Sequence, residues 1–267
     1  MNGPASVPFV KATACGNDFL LIEGRHAPPN AAAFTRSICD RHNGVGADGV
    51  EWLYESTQPE SADLRIRLIN ADGSPAELSG NGTRCVAAWM TQERGIKSPR
   101  IMTDAGVKIC ELIAQDGNTF EFRTVIGTPK LLGEISVDVG GKTIKGLKID
   151  IGNPQFIVFV EKFEEGWQRL GTALSVHKNF PEGTNVEFVH VLSQHEIEIR
   201  IVERGAGETM SSGTGSSASA FAAISTGRVQ SPVRVVAPGG TQTVTVEHDG
   251  LSLTGPARIL CRGEFYL

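Results

Sequence analysis

The chain has 267 residues, 40% hydrophobic and 21% charged, with a net charge of −5. That supplies one large core or two ordinary ones and excludes a disordered tail. Scattered Lys and Arg exclude the basic footprint of a nucleic-acid binder, and no apolar run approaches the ~18 residues needed to span a bilayer.

Met1-Asn2-Gly3-Pro4-Ala5 lacks the charged and apolar regions of a secretory signal. Cys15, Cys39, Cys85, Cys110 and Cys261 are odd in number and far apart, and the six His show no paired spacing. Reduced thiols in a cytoplasmic protein are expected, without disulfides, zinc or any other metal.

In chain order, Phe9–Ala14 and Phe19–Ile22 read as strands around a Cys15-Gly16-Asn17-Asp18 turn. Asn30 can cap a helix running to about Arg41, with Ala33, Phe34, Ile38 and Cys39 near helical spacing. Asp63–Asn70 alternates as a half-buried strand. The stretch from Val86 to Met90 then turns helical and apolar, as a helix enclosed by strands would be. Val107–Leu112 and Thr119–Thr124 pair across Asp116-Gly117. Pro129 to Lys148, polar and punctuated by glycine, reads as a bridge. Beyond it come a helix around Trp167–Val176, a strand at Ile197–Val202 and a small-residue helix from Ala218 to Ala223. Strands at Gln242–Val246 and Leu251–Thr254 follow, joined at Asp249-Gly250. The class is α+β.

The second half repeats the first. Ser79-Gly80-Asn81-Gly82 returns as Ser212-Gly213-Thr214-Gly215, an offset of 133 (212 − 79) that also relates Arg65–Asn70 to Glu198–Glu203. Upstream the offset drifts to 136 (152 − 16), setting Gly16-Asn17 against Gly152-Asn153, as one small loop insertion would leave it. Two homologous halves are expected, residues 1–124 and 125–257, with a strand at 258–267 returning to the first. Their Gly-rich turns would face each other across a cleft.

A Ser-Gly-x-Gly turn before a helix bares backbone N–H groups where the helix dipole adds positive potential, which suits a carboxylate or oxyanion. Ser79 and Ser212 would point at the held group; their plainer role is helix capping. Asn17, Asn70, Asn81, Asn153 and Asn185 sit in turns or at strand ends. Singly that is turn chemistry, but together they can hydrogen-bond a polar ligand.

Gly16-Asn17-Asp18-Phe19, Gly44-Val45-Gly46-Ala47-Asp48-Gly49, Asn70-Ala71-Asp72-Gly73-Ser74, Gly80-Asn81-Gly82-Thr83-Arg84-Cys85, Gly152-Asn153-Pro154 and Glu203-Arg204-Gly205-Ala206-Gly207-Glu208-Thr209 resemble the diaminopimelate epimerase signatures. The resemblance runs from about Lys11 to the C-terminus. It implies two pseudo-symmetric halves, each a β-barrel-like sheet around a central helix. It further implies interconversion of LL- and meso-diaminopimelate in lysine biosynthesis, without cofactor, by two-base proton transfer, in a cytoplasmic protein that can form a homodimer. Asn17, Asn70, Asn153, Asn185 and Arg204 would hold the diaminopimelate backbone and distal groups. The α-carboxylate would meet the backbone around Gly80-Asn81 and Gly213-Thr214.

The chain departs from that family where the chemistry is done. Ser79 and Ser212 stand at the two catalytic Cys positions and Gln155 at a supporting His, while the matching Glu203 is retained. A thiol titrates near pH 8.5 and an alcohol several units higher, so two serines are a poor acid–base couple for an unactivated α-proton. Three functions stay open: a slow epimerase using Ser79, Ser212, Glu203 and Gln155; a related isomerase or dehydratase needing a base on one face; and a non-catalytic amino-acid-binding homologue.

Overall fold

The computed structural model describes residues 6–267, so the reading of Met1–Ala5 lies outside the described residues. The chain forms two compact units, one running to Thr124 and joined by Gly255–Leu267, the other Val125–Thr254.

The first unit holds β1 (Ser6–Ala14), β2 (Asn17–Glu23), α1 (Ala31–Cys39), β3 (Gly49–Glu55), β4 (Leu64–Asn70), the short β5 (Pro75–Ala76), α2 (Gly80–Arg94), β6 (Arg100–Thr103), β7 (Gly106–Asp116) and most of β8 (Thr119–Gly127). The second holds β9 (Lys130–Val139), β10 (Lys142–Asp150), β11 (Pro154–Phe159), α3 (Trp167–Ser175), β12 (Asn185–Ser193), β13 (Glu196–Glu203), the short β14 (Gly207–Thr209), α4 (Gly213–Ser225), β15 (Val233–Ala237) and β16 (Gly240–Glu247). The long β17 (Gly250–Tyr266) begins in the second unit and ends in the first.

In the first unit β17, β1, β2, β3, β4, β6, β7 and β8 pair in succession, and β8 pairs back to β17. The sheet thereby closes into an eight-stranded barrel, and closure leaves no open edge. The second unit repeats the succession with β9 to β13 and β15 to β17, including its two parallel pairings, β11 with β12 and β13 with β15. The architecture is the expected one in each unit.

Each sheet wraps around one helix. Every residue of α2 from Asn81 to Thr91 is buried, and Cys85, Val86, Ala87, Ala88 and Met90 form the core with Leu64, Ile101 and Phe122. In α4 the small Ala218, Ala220, Ala222 and Ala223 let β-strand residues such as Ile197, Ile199 and Val235 close around the helix. The other two helices pack outside. Phe34 and Ile38 of α1 cover Val50 and Trp52 of β3, and Leu174 of α3 covers Val186 and Phe188 of β12. Strands β3 and β12 are therefore buried on both faces, and this decides the site. Asn30 caps α1 as expected, its side chain accepting from Ala33 N at 3.0 Å.

One expectation fails. Residues 129 to 148 are not a bridge; they supply the β9–β10 hairpin, which turns at Gly140-Gly141. Ile135, Val137 and Val139 of β9 alternate with Glu134, Ser136 and Asp138 and pack inward, a period-2 signal that the flanking glycines and exposed polar residues outweighed in the sequence.

Candidate active site

Ser79 is the N-cap of α2 and Ser212 the N-cap of α4, both in extended backbone. Their hydroxyls accept from Gly82 N at 3.0 Å and Gly215 N at 3.2 Å. The capping role is thus real, and it places both hydroxyls at the positive ends of buried helices. Gly80 and Asn81, and in the other unit Gly213 and Thr214, form the first residues of those helices.

In the first unit Asn81 donates to Asn17 Oδ1 at 2.6 Å, and Asn17 donates to Asp48 Oδ2 at 3.1 Å. The buried Arg84 guanidinium bonds Asn81 Oδ1 and reaches Pro256 O at 3.3 Å. Asn70, at the end of β4, donates to Ser74 Oγ at 3.1 Å. Asn17 and Asn81 therefore share one network at the mouth of the barrel, and Asn70 closes a separate turn.

In the second unit Asn185 accepts from Arg204 N at 2.8 Å, and the exposed Arg204 side chain donates to Glu182 O at 2.8 Å. Gln155 is buried. In the orientation that satisfies its neighbours, it donates to Glu187 at 2.7 and 3.2 Å and accepts from Asn185 Nδ2 at 3.0 Å, with Asn153 at 2.8 Å. Ser212 donates to the Glu203 carboxylate, which also accepts from Thr209 Oγ1 at 3.2 Å. Burial raises the Glu203 pKa, and the two hydroxyls only partly offset it.

Two site residues were missed from the sequence. Glu51 of β3 and Glu187 of β12 are fully buried beneath the N-termini of α2 and α4. They are equivalents at the same 136-residue offset (187 − 51) as the flanking motifs. Strand alternation sends Val50 and Trp52 outward to α1, and Glu51 and Leu53 inward. A Cβ on Gly82 would collide with Glu51 Oε1, and one on Gly215 would lie 2.7 Å from Glu187 Oε1. The last glycine of each motif is thus the space a buried carboxyl occupies. Burial lifts the Glu51 pKa to about 8, and burial with the nearby Glu203 carboxylate lifts Glu187 well above the carboxylate range. The readable signal is one acidic residue at matching points of two otherwise apolar strands, Val50-Glu51-Trp52 and Val186-Glu187-Phe188. Gly82→Ala is expected to cost about 1–3 kcal/mol in urea unfolding, as overpacking does. It should cost less when combined with Glu51→Ala, which vacates the space; equal costs in both backgrounds would mean Glu51 is not the obstacle.

An open cavity of about 390 Å³ lined by Glu23, His26, Trp89 and Arg262 lies far along α2 from Ser79. It shares no residue with the groups above. Among the described residues no cluster of His, Cys, Asp and Glu could hold a metal ion, and no helix is long and apolar enough to cross a membrane.

Two sheets, each wrapped around a helix with a serine N-cap, form a fold that recurs among solved structures. The hydroxyproline epimerase of Agrobacterium vitis, in a structure with bound trans-4-hydroxy-L-proline, has the same fold, with a TM-score of 0.73 and 17% identity over 98% of this chain and 91% of that one. That likeness fixes the fold. Sequence supplies the family and with it the class, an isomerase: the diaminopimelate epimerase family model matches residues 9–131 and 147–260. The diaminopimelate epimerase of Pelotomaculum thermopropionicum is 36% identical over 96% of this chain and 98% of its own length. That of Xylella fastidiosa is 35% identical over 97% and 96%. The chain belongs to the diaminopimelate epimerase family.

Proposed function

We propose that the chain epimerises diaminopimelate without a cofactor, converting the LL form to the meso form for lysine biosynthesis, and does so slowly. Inversion needs a proton acceptor on one face of the α-carbon and a donor on the other. This reading assigns the two roles to Ser79 and Ser212. The observation that carries the proposal is the Ser212–Glu203 pair: a hydroxyl at a helix N-terminus, bonded to a buried carboxylate whose pKa burial raises. Such a carboxyl exchanges protons nearer neutral pH than an ordinary glutamate and supports the serine beside it. Gln155 supports the same end indirectly by clamping Glu187. The N–H groups around Gly80-Asn81 and Gly213-Thr214 receive the α-carboxylate, where charge grows as the proton leaves. Asn17, Asn70, Asn153, Asn185 and Arg204 hold the rest of the substrate. The same reading places the protein in the cytoplasm, as a homodimer.

The test is incubation of LL-diaminopimelate with the chain in D2O, following loss of the α-proton signal and growth of the meso form. Ser at both Cys positions and Gln155 favour a second reading, an isomerase or dehydratase acting on another small acid. Proline, hydroxyproline and unsaturated diacids therefore belong in the same experiment. Binding without exchange of any of them would point to a non-catalytic amino-acid-binding protein.

Arg204 tests the substrate assignment. Its guanidinium is anchored by one contact, to Glu182 O, which leaves further donors for a carboxylate. A lysine presents a point charge in place of that planar fork. Arg204→Lys is expected to weaken LL-diaminopimelate binding about tenfold or more by calorimetry, since charge-assisted pairs are worth about 1.5–3 kcal/mol. Unchanged affinity would remove Arg204 from the binding set.

A further inference from the structure

Glu51 is fully buried, and neither carboxyl oxygen has a hydrogen-bond partner. Natural folds rarely leave a carboxyl in that condition without a use. Its surroundings point to one. The missing Cβ of Gly82 marks a point that Glu51 Oε1 crowds and that lies 3.2 Å from Ser79 Cβ. Ser79 Oγ accepts from Gly82 N, while its own proton has no acceptor among the described residues. A donor without an acceptor therefore stands beside acceptors without a donor. The arrangement recurs at Gly215, where Glu187 Oε1 is 2.7 Å and Ser212 Cβ 3.2 Å from the equivalent point. There Ser212 already has Glu203; the residue matching Glu203 in the first unit is Asn70, which cannot take a proton.

We propose that Glu51 is the proton acceptor behind Ser79, a positioning residue that lets a serine act in a role a thiol fills more readily. The proposal rests on the two-base reading above. As the substrate α-C–H bond breaks, its proton passes to Ser79 Oγ while the Ser79 proton passes to the Glu51 carboxylate. The electron pair stays on the substrate, spread into its carboxylate. Ser79 ends neutral, and Glu51 ends as a carboxylic acid, the form its buried site favours. Reversal of the same steps donates a proton from this face. No alkoxide is formed, which removes the energetic objection to a lone serine. The titratable neighbour coupled to Glu51 is the Cys85 thiol of α2, around which Cys15, Asp18 and Arg84 also act; across the sheet Leu21 of β2 and Leu68 of β4 flank it.

Two measurements decide. In the first, Ser79→Cys introduces a thiol whose alkylation rate is followed from pH 6 to 10 by peptide mass spectrometry, with and without Glu51→Gln. An ionised carboxyl within about 5 Å hinders thiolate formation, so Glu51→Gln should speed alkylation at pH 9 by at least about threefold. Identical profiles would overturn the proposal whether or not the chain turns over any substrate. The second is α-proton exchange of diaminopimelate in D2O. Glu51→Gln should lower kcat about a hundredfold in the parent chain, leave KM unchanged and abolish the rise in rate as Glu51 ionises. In the Ser79→Cys background the loss should be under about threefold, because a thiol needs no relay. Parent-like kcat and pH profile in Glu51→Gln would also overturn the proposal. If no form exchanges the proton, including Ser79→Cys with Ser212→Cys, the diaminopimelate reading falls, and the alkylation result alone judges Glu51.

Discussion

Ser79→Cys combined with Ser212→Cys is expected to raise diaminopimelate epimerisation by about a hundredfold to ten-thousandfold, the range a matched general acid–base pair contributes. Both hydroxyls already sit at helix N-termini, where the dipole lowers the cost of a developing negative charge. A thiol there titrates closer to neutrality than 8.5, and a hydroxyl remains several units above. The same substitutions remove two N-caps, since sulfur is a weak acceptor for Gly82 N and Gly215 N. Thermal stability should therefore fall, by about 0.5–2 kcal/mol per site, while the rate climbs. Either single substitution should exchange the α-proton faster than it inverts the centre, because one face still lacks an efficient donor. A parent chain turning over at ~10 per second, an ordinary enzymatic rate, would show that serine with a carboxyl behind it suffices.

The fold was legible where local chemistry and tertiary context agree. The repeat placed both Ser-capped helices, and strands with one wet face, such as Leu64–Asn70, show their alternation. Strands β3 and β12 hide because helices cover their outer faces and barrel cores their inner ones, which erases the period-2 signal. The β9–β10 hairpin hides for another reason: its inward Ile135, Val137, Leu147 and Ile149 are spaced among glycines and charged residues that read as a polar linker.

Legibility of the candidate site divides the same way. Ser79, Ser212, Asn17, Asn185, Glu203 and Arg204 lie in Gly-flanked turns and strand ends, where a polar residue announces a purpose. Glu51 and Glu187 lie inside apolar strands, and only their inward direction and the missing Cβ atoms of Gly82 and Gly215 give them meaning. Gln155 reads in the sequence as a lost histidine. In the structure it is a buried amide between Glu187 and Asn185, so histidine at this position would meet a carboxyl, not empty space.

The buried carboxyls make stability depend on pH in a direction opposite to most glutamates. Folding holds Glu51 neutral up to about pH 8, while the unfolded chain ionises it near the ordinary 4.5. Between those values the folded state binds the extra proton, so stability falls as pH rises. The contribution is complete below about pH 4.5 and is lost progressively as pH climbs to about 8. Glu187 and Glu203, also raised, act in the same sense. Asp18 and Asp63 are lowered by their Arg and Lys partners and act at the acid end, outside this window. Urea midpoints are therefore expected to decline from pH 5 to pH 8. Glu51→Gln keeps the shape and removes the titration. It should take away one proton's share of the slope, ~1.4 kcal/mol per pH unit. Parallel pH profiles for parent and variant would mean Glu51 is already ionised in the folded chain, and the neutral acid beneath Ser79 would have to be abandoned.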